Sequence, residues 1–375
     1  MVAANKLRMK TNLIFFLARF GLGGAGNSVY KLCRTLNKNK YNINVICLNK
    51  CAYETNLKKL GIKVFTIKSK KVLFAIFSVL KILYIIKNSI NKTVFISNIN
   101  YTNVLCAMFI KKEKNLKLIA IERTPLKELE IYFSIIDFVK KNLMKLLIFV
   151  FYGNFDKIVC NSKYLSNYLK NKYGFNSVTI FPPSLNKVNK VNIVNKKRYL
   201  KDKIHITTIC RLSREKKIED IIYAISYLKK KNISLNIIGT GPEKLRLKKI
   251  VENKSLSKQV KFYGYKENVF KYLSKTDLYI NSSYFEGFPN SVVEAACMGV
   301  PIISSQSHGG INEILCKGKY GTIYNGSYID LALKIKKFYK NPEIFFKKAN
   351  LAKKNVIKFN VSNHKKNFER LVDEI

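Results

Sequence analysis

Two cationic side chains that could hold a diphosphate follow a strand-like run in the second half of the chain. Arg211 and Lys216 come directly after the apolar run Ile204–Cys210 and before a helical pattern. A guanidinium binds two phosphate oxygens as a planar fork, and an ammonium acts as a point charge. The pair therefore suits a diphosphate. A solvated basic loop in a lysine-rich chain is the alternative interpretation.

Two carboxylates lie further along the chain, Glu286 and Glu294, with seven residues between them. We expect Asn290 or Ser291 to cap a helix that runs to about Met298, so that its first-turn amides and the positive end of its dipole face an anion. Glu286 would then lie on the preceding loop and Glu294 one turn into the helix, within reach of one ligand. The alternative is that Glu294 only complements the dipole and that Glu286 is exposed.

Glycine-rich loops follow three further strand-like runs. Two of them are Gly239-Thr240-Gly241-Pro242 and His308-Gly309-Gly310, and each could be a tight turn or a place where the backbone approaches a ligand. The third, Gly21 to Gly26, follows the first run of the chain. It does not match G-x-G-x-x-G, so a dinucleotide fingerprint is not met.

Several other chemistries lack their motifs. The sequence contains no D-x-D, H-E-x-x-H, P-loop or G-x-S-x-G pattern, which removes support for metal-dependent sugar transfer, zinc hydrolysis, ATPase and serine hydrolase activity. Its eight cysteines form no C-x-x-C pair. We therefore predict no metal site and no disulfide framework, and we favour reduced, mostly buried cysteines in a cytoplasmic protein.

The elements that must position these residues alternate between strand and helix patterns. This alternation predicts an α/β fold with parallel sheets covered by helices on both faces. Pro182-Pro183 and a polar stretch divide the pattern, so we expect domains at 1–185 and 203–350, a linker at 186–202, and a C-terminal helix at 351–375 that packs back on the first domain. Open sheets of this kind bind ligands at the carboxyl ends of their strands, so we expect a cleft between the two domains there.

The predicted strands are Leu13–Leu17, Ile43–Leu48, Val64–Ile67, Val94–Ser97, Leu116–Ile121, Lys157–Cys160, Ile204–Cys210, Ser234–Ile238, Val260–Tyr263, Leu278–Asn281 and Pro301–Ser304. The predicted helices are Asn27–Leu36, Phe138–Phe151, Ile218–Lys230, Glu243–Asn253, Val269–Ser274, Ser291–Met298 and others within Asp330–Ile375.

Three apolar segments could be taken for targeting or membrane segments. Met1–Phe20 resembles a signal peptide, but a first strand feeding a glycine loop fits better because no small-residue cleavage pattern follows. Val72–Ile86 contains Lys81 and, like Leu143–Tyr152, is too short for an ordinary span. We favour a buried helix for each of these two, with an interfacial helix as the alternative, and predict no transmembrane helix.

The formal net charge of +46, from 69 basic and 23 acidic residues, suits contact with an anionic surface. Compositional drift in an AT-rich gene explains most of it better, because the excess is shared by both halves of the chain. Only Glu54 and Glu113 precede Glu122, so the first half is the better candidate for contact with an anionic membrane.

Taken together, the order and spacing of these motifs resemble family 4 glycosyltransferases over nearly the whole chain, the Glu286–Glu294 segment most of all. The resemblance implies the GT-B fold, in which two Rossmann-like domains face each other across a cleft. It also implies a retaining, metal-independent enzyme that has no cofactor apart from its nucleotide-sugar donor substrate.

The resemblance also implies roles for individual residues. Arg211 and Lys216 would hold the donor diphosphate and Glu286 would face the donor sugar, and these three are the expected catalytic residues. Glu294 would accept hydrogen bonds from the ribose. The expected donor-binding residues are Gly23, Gly24, Gly239, Gly241, Tyr265, Gly287, Phe288, Asn290, Ser291 and Glu294.

Two positions depart from the family pattern. Many relatives carry a histidine in the N-terminal domain near the sugar, whereas no histidine precedes His205 here. Glu122 and Arg123 stand at the matching stretch, where they could act on the acceptor side or form a structural pair. Many relatives also have a glutamate in the first glycine loop where this chain has Gly26.

The resemblance predicts transfer of a hexose or N-acetylhexosamine from a UDP-sugar to a glycan or lipid-linked acceptor, in bacterial surface polysaccharide or lipopolysaccharide synthesis. It predicts a cytoplasmic protein peripherally associated with the inner face of the cell membrane. A nucleotide-sugar epimerase or a sugar-phosphate synthase is one alternative. A basic nucleic-acid-binding protein is another, but no helix-turn-helix, zinc-finger or RNP-like motif supports specific nucleic-acid binding.

Overall fold

The chain divides into two compact units, Met1–Pro183 with Val361–Ile375 and Ser184–Asn360. The computed structural model describes residues 10–87, 91–132, 134–186, 203–230 and 232–375. All of the predicted linker 186–202 except its first residue lies outside these ranges. The second unit extends past the predicted boundary at residue 350, because the helix Pro342–Val356 packs against the helix Asn290–Cys297 of the same unit.

The first unit is built on a parallel sheet. Within the described residues its strand order is β3-β2-β1-β4-β5-β6-β7. Leu13 of β1 lies beside Ile43 of β2 and Val94 of β4. The strands are mostly buried, as expected for a parallel sheet with both faces covered. They are β1 Thr11–Leu17, β2 Tyr41–Leu48, β3 Lys63–Ile67, β4 Thr93–Asn98, β5 Leu116–Glu122, β6 Lys157–Cys160 and β7 Val178–Thr179.

Helices cover both faces of this sheet. They are α1 Gly24–Thr35, α2 Glu54–Lys59, α3 Val72–Lys87, α4 Asn100–Phe109, α5 Ile135–Phe151, α6 Lys163–Tyr173 and the C-terminal helix Val361–Asp373, with 3-10 turns at Leu126–Glu130 and Tyr152–Asn154. One apolar core lies beneath α3, α4, α5 and α6, and the opposite core lies beneath α1, α2 and the C-terminal helix. Phe368 of that last helix stacks on Phe15 with ring centroids 5.8 Å apart.

The second unit repeats this plan. Its main sheet, within the described residues, has the parallel order β10-β9-β8-β11-β13-β15, and β12 pairs with β14 separately. The strands are β8 Ile204–Ile209, β9 Ile233–Ile238, β10 Val260–Gly264, β11 Leu278–Asn281, β12 Phe285–Glu286, β13 Ile302–Ser305, β14 His308–Gly309 and β15 Thr322–Tyr324. The helices are α7 Ile218–Leu228, α8 Lys244–Asn253, α9 Phe270–Leu273, α10 Asn290–Cys297, α11 Ile311–Leu315, α12 Tyr328–Lys340 and α13 Pro342–Val356, with 3-10 turns at Arg214–Lys216 and Cys316–Gly318.

The predicted fold class is confirmed, with two parallel α/β sheets in one chain. The predicted helix at Asn27–Leu36 begins three residues earlier, so that Gly24, expected in a loop, is its first residue. All eight cysteines are free thiols, and six of them are buried. In the described ranges, no helix has both the length and the apolar character needed to cross a bilayer.

Candidate active site

The loops that carry the predicted chemistry of the second unit are joined to one another at the carboxyl edge of its sheet. The loop after β11 is bonded to the loop after β8, since the Tyr284 N–H donates to the Glu215 carbonyl at 2.8 Å and Ser282 Oγ donates to the Lys216 carbonyl at 2.7 Å. Ser305, at the end of β13, donates to the Ser283 carbonyl at 2.5 Å. Three strand ends thus support one polar surface, where open α/β sheets bind ligands.

An ion pair between Lys216 and Glu286 lies within this surface. Lys216 Nζ is 2.8 Å from Glu286 Oε1, and the two side chains are only 16% and 14% exposed. Ser283 Oγ donates to the same carboxylate oxygen at 2.6 Å. Burial alone would lower the pKa of Lys216, but nearby groups, first the Glu286 carboxylate and then Cys210 and Glu215, together outweigh burial and raise it. Lys216 is therefore a fixed, protonated cation with a defined position.

Arg211 lies in the same loop as Lys216 and is exposed. Among the described residues its guanidinium forms neither an ion pair nor a side-chain hydrogen bond. By contrast, Arg214 approaches Glu243 at 3.5 Å. The guanidinium of Arg211 is therefore available to bind an anion, whereas Lys216 is held by the Glu286 carboxylate.

Close packing explains the glycines of the second loop. A Cβ on Gly239, where φ is 135°, would lie 1.8 Å from the Cys210 carbonyl oxygen, and one on Gly241 would lie 2.2 Å from that of Leu212. The Leu212 N–H also donates to the Thr240 carbonyl at 3.0 Å. These glycines therefore allow the loop after β9 to pack on the loop that carries Arg211. This is a structural reason for them, whether or not their backbone also meets a donor.

The predicted side-chain cap of α10 is wrong. The helix begins at Asn290 after Pro289, and no side chain caps it. Asn290 Oδ1 instead accepts from Ser184 Oγ at 2.6 Å, and Ser291 Oγ lies 2.8 Å from the Tyr279 hydroxyl. Within the described residues no hydrogen bond uses the backbone N–H of Asn290 or Ser291, so these first-turn donors are available to an anion.

Glu294 lies in the second turn of α10 and is half-buried. Tyr265, exposed on the loop after β10, has its pKa raised by burial and then by the charges of Glu267 and Glu294. The influence of Glu294 on Tyr265 indicates that the loop after β10 lies near α10.

Phe288 does not offer its ring to a ligand as a donor-binding residue would. Its ring is buried against Phe359, with centroids 4.9 Å apart and planes at 74°. Gly287 is also buried, and its carbonyl accepts from the Gly310 N–H at 3.1 Å. Phe288 therefore anchors the segment between Glu286 and α10 through its ring, and its predicted donor-binding role stays a prediction that would use its backbone.

The short pair of β12 and β14 fixes the position of Glu286. Gly309 lies beside Glu286 in this pair. It has φ of 140°, and a Cβ there would be 1.4 Å from the Glu286 carbonyl oxygen. A side chain at residue 309 would displace the catalytic candidate, so this loop is structural.

In the first unit, the glycine loop leads directly into α1. Gly23 and Gly24 are exposed at the start of the helix, and a Cβ on Gly23 would have no heavy atom within 4 Å. Packing therefore does not explain Gly23, which leaves an open approach to the backbone. Gly26 differs, because its Cβ would lie 2.1 Å from the Gly21 carbonyl oxygen. The glutamate of many relatives would not fit there.

Glu122 is fully buried at the end of β5, which closes its side chain to an acceptor. Its Oε1 accepts from Asn103 Nδ2 at 2.5 Å and from the Tyr152 hydroxyl. Its Oε2 has no hydrogen-bond partner among the described residues. Burial raises the pKa of Glu122 to about 7, although its two hydrogen bonds oppose the change.

Arg123 forms no ion pair with Glu122 in the described part of the chain, so the alternative of a structural pair is not observed. Arg123 Nε donates to Asn98 Oδ1 at 3.0 Å, and Asn161 Nδ2 donates to the Arg123 carbonyl at 2.8 Å. Burial lowers the pKa of Arg123 to about 10, which leaves it protonated near neutral pH.

His364 of the C-terminal helix is a neighbour of this group that the sequence did not reveal. Its Nδ1 lies 2.7 Å from the Phe181 carbonyl oxygen. Burial lowers the pKa of His364 to about 4, and the charge of Arg123 acts in the same direction. The contact with the Phe181 carbonyl opposes this change. The sequence shows polar residues at the strand ends of this unit. That pattern does not predict that a histidine of the last helix lies beside Arg123.

Solved structures with the same architecture define the class of this protein. A structure of HepE from Anabaena with UDP and glucose matches 98% of this chain and 100% of its own, at 17% identity and a TM-score of 0.78. A sucrose-phosphate synthase from Thermosynechococcus elongatus matches 97% of this chain and 99% of its own, at 15% identity and a TM-score of 0.81. The chain therefore has the GT-B fold.

Family models then place the chain more narrowly. A Glycosyltransferase Family 4 model matches residues 22–186, and a Glycosyl transferases group 1 model matches residues 189–359. Together they account for nearly the whole length, and they meet close to the division between the two structural units. The chain belongs to the family 4 glycosyltransferases.

Curated relatives match over shorter segments. An N-acetylgalactosamine-N,N'-diacetylbacillosaminyl-diphospho-undecaprenol 4-alpha-N-acetylgalactosaminyltransferase from Campylobacter jejuni is 28% identical over 124 residues, which are 33% of this chain and 33% of that protein. The chain thus covers about a third of the length of such relatives. Identity at this level supports the family and leaves the substrate to be argued from the site.

Proposed function

We propose that the protein is a retaining glycosyltransferase that moves a hexose or N-acetylhexosamine from a nucleotide sugar, UDP-linked, to a glycan or lipid-linked acceptor in surface polysaccharide or lipopolysaccharide synthesis. The observation that carries the proposal is the half-buried pair of Lys216 and Glu286. It lies on a strand-end surface of the second unit, and α10 follows Glu286 with two uncommitted N–H groups. Retention and the sugar type rest on the family resemblance, and UDP is supported by the HepE complexes with UDP.

The chemistry requires stabilisation of a leaving diphosphate. When the bond between the anomeric carbon and the phosphate oxygen breaks, its electron pair stays on the diphosphate, while the acceptor hydroxyl bonds to the anomeric carbon and loses its proton. Lys216, Arg211 and the first amides of α10 would stabilise the developing negative charge. These groups would supply the positive charge that a metal ion would otherwise provide, and metal independence rests on the family resemblance.

The rest of the donor would lie along the same surface. Glu286 would face the sugar while it holds Lys216, and Glu294 would accept hydrogen bonds from the ribose. Tyr265 would lie at the base, which is consistent with its electrostatic contact with Glu294. Arg123 would act on the acceptor side.

The acceptor would be reached at the inner face of the cell membrane, where the protein would be peripherally bound through anionic lipid. The net charge of +46 and the acid-poor first half support this location. It is also consistent with the name of the Campylobacter relative, which describes a diphospho-undecaprenol acceptor.

Donor hydrolysis and transfer by the full chain test the proposal. A panel of UDP-, GDP- and dTDP-sugars would show turnover of UDP-sugars, followed by transfer to polyprenyl-diphosphate-linked glycans. Lys216→Ala should reduce turnover by at least about a hundredfold, as expected when a positioned transition-state contact is lost. Glu294→Ala should also reduce turnover strongly, because the donor ribose loses its carboxylate acceptor. Lys248→Ala, on the exposed side of α8, is the matched control. Full activity of both site variants would reject the site assignment.

A further inference from the structure

The outer side of α3 in the first unit is apolar, as is its inner side. The helix buries Ala75, Ile76 and Val79 in the core beneath it. Its opposite side exposes Phe74 and Phe77, each 68% accessible, and further large apolar side chains at Leu73, Tyr84 and Ile85. An ordinary surface helix presents polar residues on that side, because only one stripe faces the core.

Helix α5 also exposes apolar residues on its outer side, and it exposes more of them than α3 does. It buries Met144 and Ile148. Its exposed side carries Ile135, which is 82% accessible, with Val139 and Leu143 on the same stripe at intervals of four residues. Other exposed apolar side chains on the helix are Ile136, Phe138, Leu146, Phe149 and Val150. By comparison, α8 of the second unit exposes Leu245 among Arg246, Lys248 and Lys249.

These two exposed sides belong to one layer of the first unit. Both helices pack on the same core, and both pack against α4, which lies between them in sequence. Phe77 of α3 contacts Phe109 of α4, with ring centroids 6.2 Å apart. We call the exposed apolar residues of α3 and α5 the apolar face. Large exposed apolar patches commonly mark sites that contact another protein or a membrane.

Lysines lie within and beside the apolar face, and acidic residues are scarce there. Lys81 of α3 and Lys140 of α5 are exposed between the apolar positions. No acidic residue occurs from Lys68 to Lys87. Asp137, the one acid in the sequence of α5, is paired with Lys141 at 2.8 Å. The surface thus combines apolar side chains with uncompensated positive charge.

We propose that the apolar face is the surface by which the protein docks on anionic phospholipid, with its aromatic and aliphatic side chains inserted at the boundary between headgroups and acyl chains. The inference rests on the proposed membrane location and assigns it to particular residues. The lysines decide between lipid and a second copy of this chain. In a self-paired interface Lys81 and Lys140 would be buried without carboxylates, which is costly. At a bilayer their stems lie along the apolar region and their ammonium groups reach the phosphates.

Sedimentation of the full chain with vesicles, in the absence of donor and acceptor, tests this surface. The wild type should bind vesicles that contain phosphatidylglycerol more tightly than vesicles of phosphatidylcholine. The pair Val139→Ser and Leu143→Ser should weaken binding to both kinds of vesicle at least about tenfold, since each removes apolar area from the lipid. Leu245→Ser on α8 should leave binding unchanged.

The electrostatic part has its own variants. Replacement of Lys81 and Lys140 by serine should weaken binding to the anionic vesicles roughly thirtyfold, because each lysine near the surface contributes about a factor of five. Binding to neutral vesicles should change little. The matched control replaces Lys248 and Lys249, which removes the same charge from the second unit. Equal losses from the two lysine pairs would reject a localised docking surface and leave only general attraction.

Two further results would overturn the proposal. One is unchanged vesicle binding by folded Val139→Ser, Leu143→Ser protein and by a second variant on α3, Phe74→Ser with Phe77→Ser. The other is a stable dimer in solution that these substitutions dissociate, together with no vesicle binding by the wild type. Hydrolysis of UDP-sugar without vesicles is measured on the same samples, so failure of docking is distinguished from failure of the proposed transferase activity.

Discussion

At the scale of single residues, Lys216 illustrates how a site can hold a cation in a buried position. Burial lowers its pKa, and the Glu286 carboxylate at 2.8 Å more than reverses that effect. Glu286 therefore has a second role beyond facing the donor sugar, because it keeps Lys216 protonated. The two roles can be separated experimentally, since only the second depends on pH.

Glu286→Gln should move an alkaline limit of activity to lower pH. In the wild type the raised pKa of Lys216 keeps the ammonium charged across the usual assay range. In the variant burial is opposed only by the smaller effects of Cys210 and Glu215, so the pKa falls and donor hydrolysis should decline as pH rises through the lowered value. The measurement is a pH profile of donor hydrolysis from about pH 6 to about pH 10.

The control for that profile is Glu252→Gln on the exposed side of α8, which removes one carboxylate without affecting Lys216. Its profile should overlay that of the wild type. A Glu286→Gln enzyme with reduced activity but an unshifted profile would show that Glu286 acts on the sugar alone.

Glu122 provides a prediction about stability. Its pKa in the folded protein is about 7, above the unfolded value, so its contribution is complete below about pH 4.5 and is lost as pH rises through 7. Glu122→Gln should abolish that loss. The difference in unfolding free energy between variant and wild type should therefore change by about 3 kcal/mol in favour of the variant between about pH 4.5 and pH 8.

Urea denaturation at several pH values measures this difference, and Glu113→Gln at an exposed position is the control. Parallel pH dependences of wild type and Glu122→Gln would mean that Glu122 does not titrate in this range. Because the side chain is fully buried, donor hydrolysis by the variant should stay close to that of the wild type at neutral pH.

The site could be predicted from sequence only in part. The types and spacing of Lys216, Glu286 and Glu294 pointed to them, since few acids compete in this chain, and the structure brings Lys216 and Glu286 together while their roles stay predictions. Ser283, which donates to Glu286, could not be recognised because serine is common after strands and its partner depends on packing. The partners of Asn290 and Ser291 also depend on packing. Both residues were expected to cap α10, but their side chains bond to Ser184 and Tyr279 instead.

At the scale of elements, the continuous apolar strands were the most predictable part. Strands buried on both faces require such runs, so β1, β2, β4 and β5 could be read directly. Helix α6 could not be predicted in this way, because its apolar positions are sparse and only Leu165 and Leu169 are fully buried. The two-residue strands β12 and β14 were also missed, although they position Glu286.

The small pair of β12 and β14 should be intolerant of any side chain at residue 309. Gly309→Ala should lower the free energy of unfolding by about 2 kcal/mol or more, because the new Cβ meets the Glu286 carbonyl at a backbone angle that L-residues disfavour. It should also lower donor hydrolysis well beyond the loss of folded protein, since Glu286 shifts with its strand. Thermal unfolding and turnover per folded molecule measure the two effects.

Gly153→Ala is the matched control for that substitution, because its Cβ would have no heavy atom within 4 Å and its φ is not positive. It should leave stability within about 0.5 kcal/mol of the wild type, as most surface substitutions do. If Gly309→Ala lowered stability but left turnover per folded molecule intact, Glu286 would not depend on this pair of strands.

At the scale of the whole molecule, the C-terminal helix belongs to the same unit as β1. The C-terminal helix pairs Asp373 with Lys40 at 2.7 Å and stacks Phe368 on Phe15. The sequence indicates an amphipathic tail, but contacts across more than 300 residues depend on the topology of the sheet. The proline pair Pro182-Pro183, in contrast, is a local signal that lies directly at the division between the units.

The charge of the whole molecule leads to a last prediction, on transfer to an acceptor carried in anionic vesicles. The excess of +46 lies in both halves and attracts such a surface over a distance set by salt. Raising salt from about 0.1 M to about 1 M shortens that distance from about 10 Å to about 3 Å. Transfer at limiting vesicle concentration should then fall at least about tenfold, while hydrolysis of soluble UDP-sugar should change less than about twofold, since the half-buried Lys216–Glu286 pair is screened less than exposed charges are. Transfer on neutral vesicles is the control and should show little salt dependence, because there only the apolar face binds. If hydrolysis and transfer instead fell together, the salt effect would lie in the donor site, and the charge of the molecule would have no part in bringing it to the membrane.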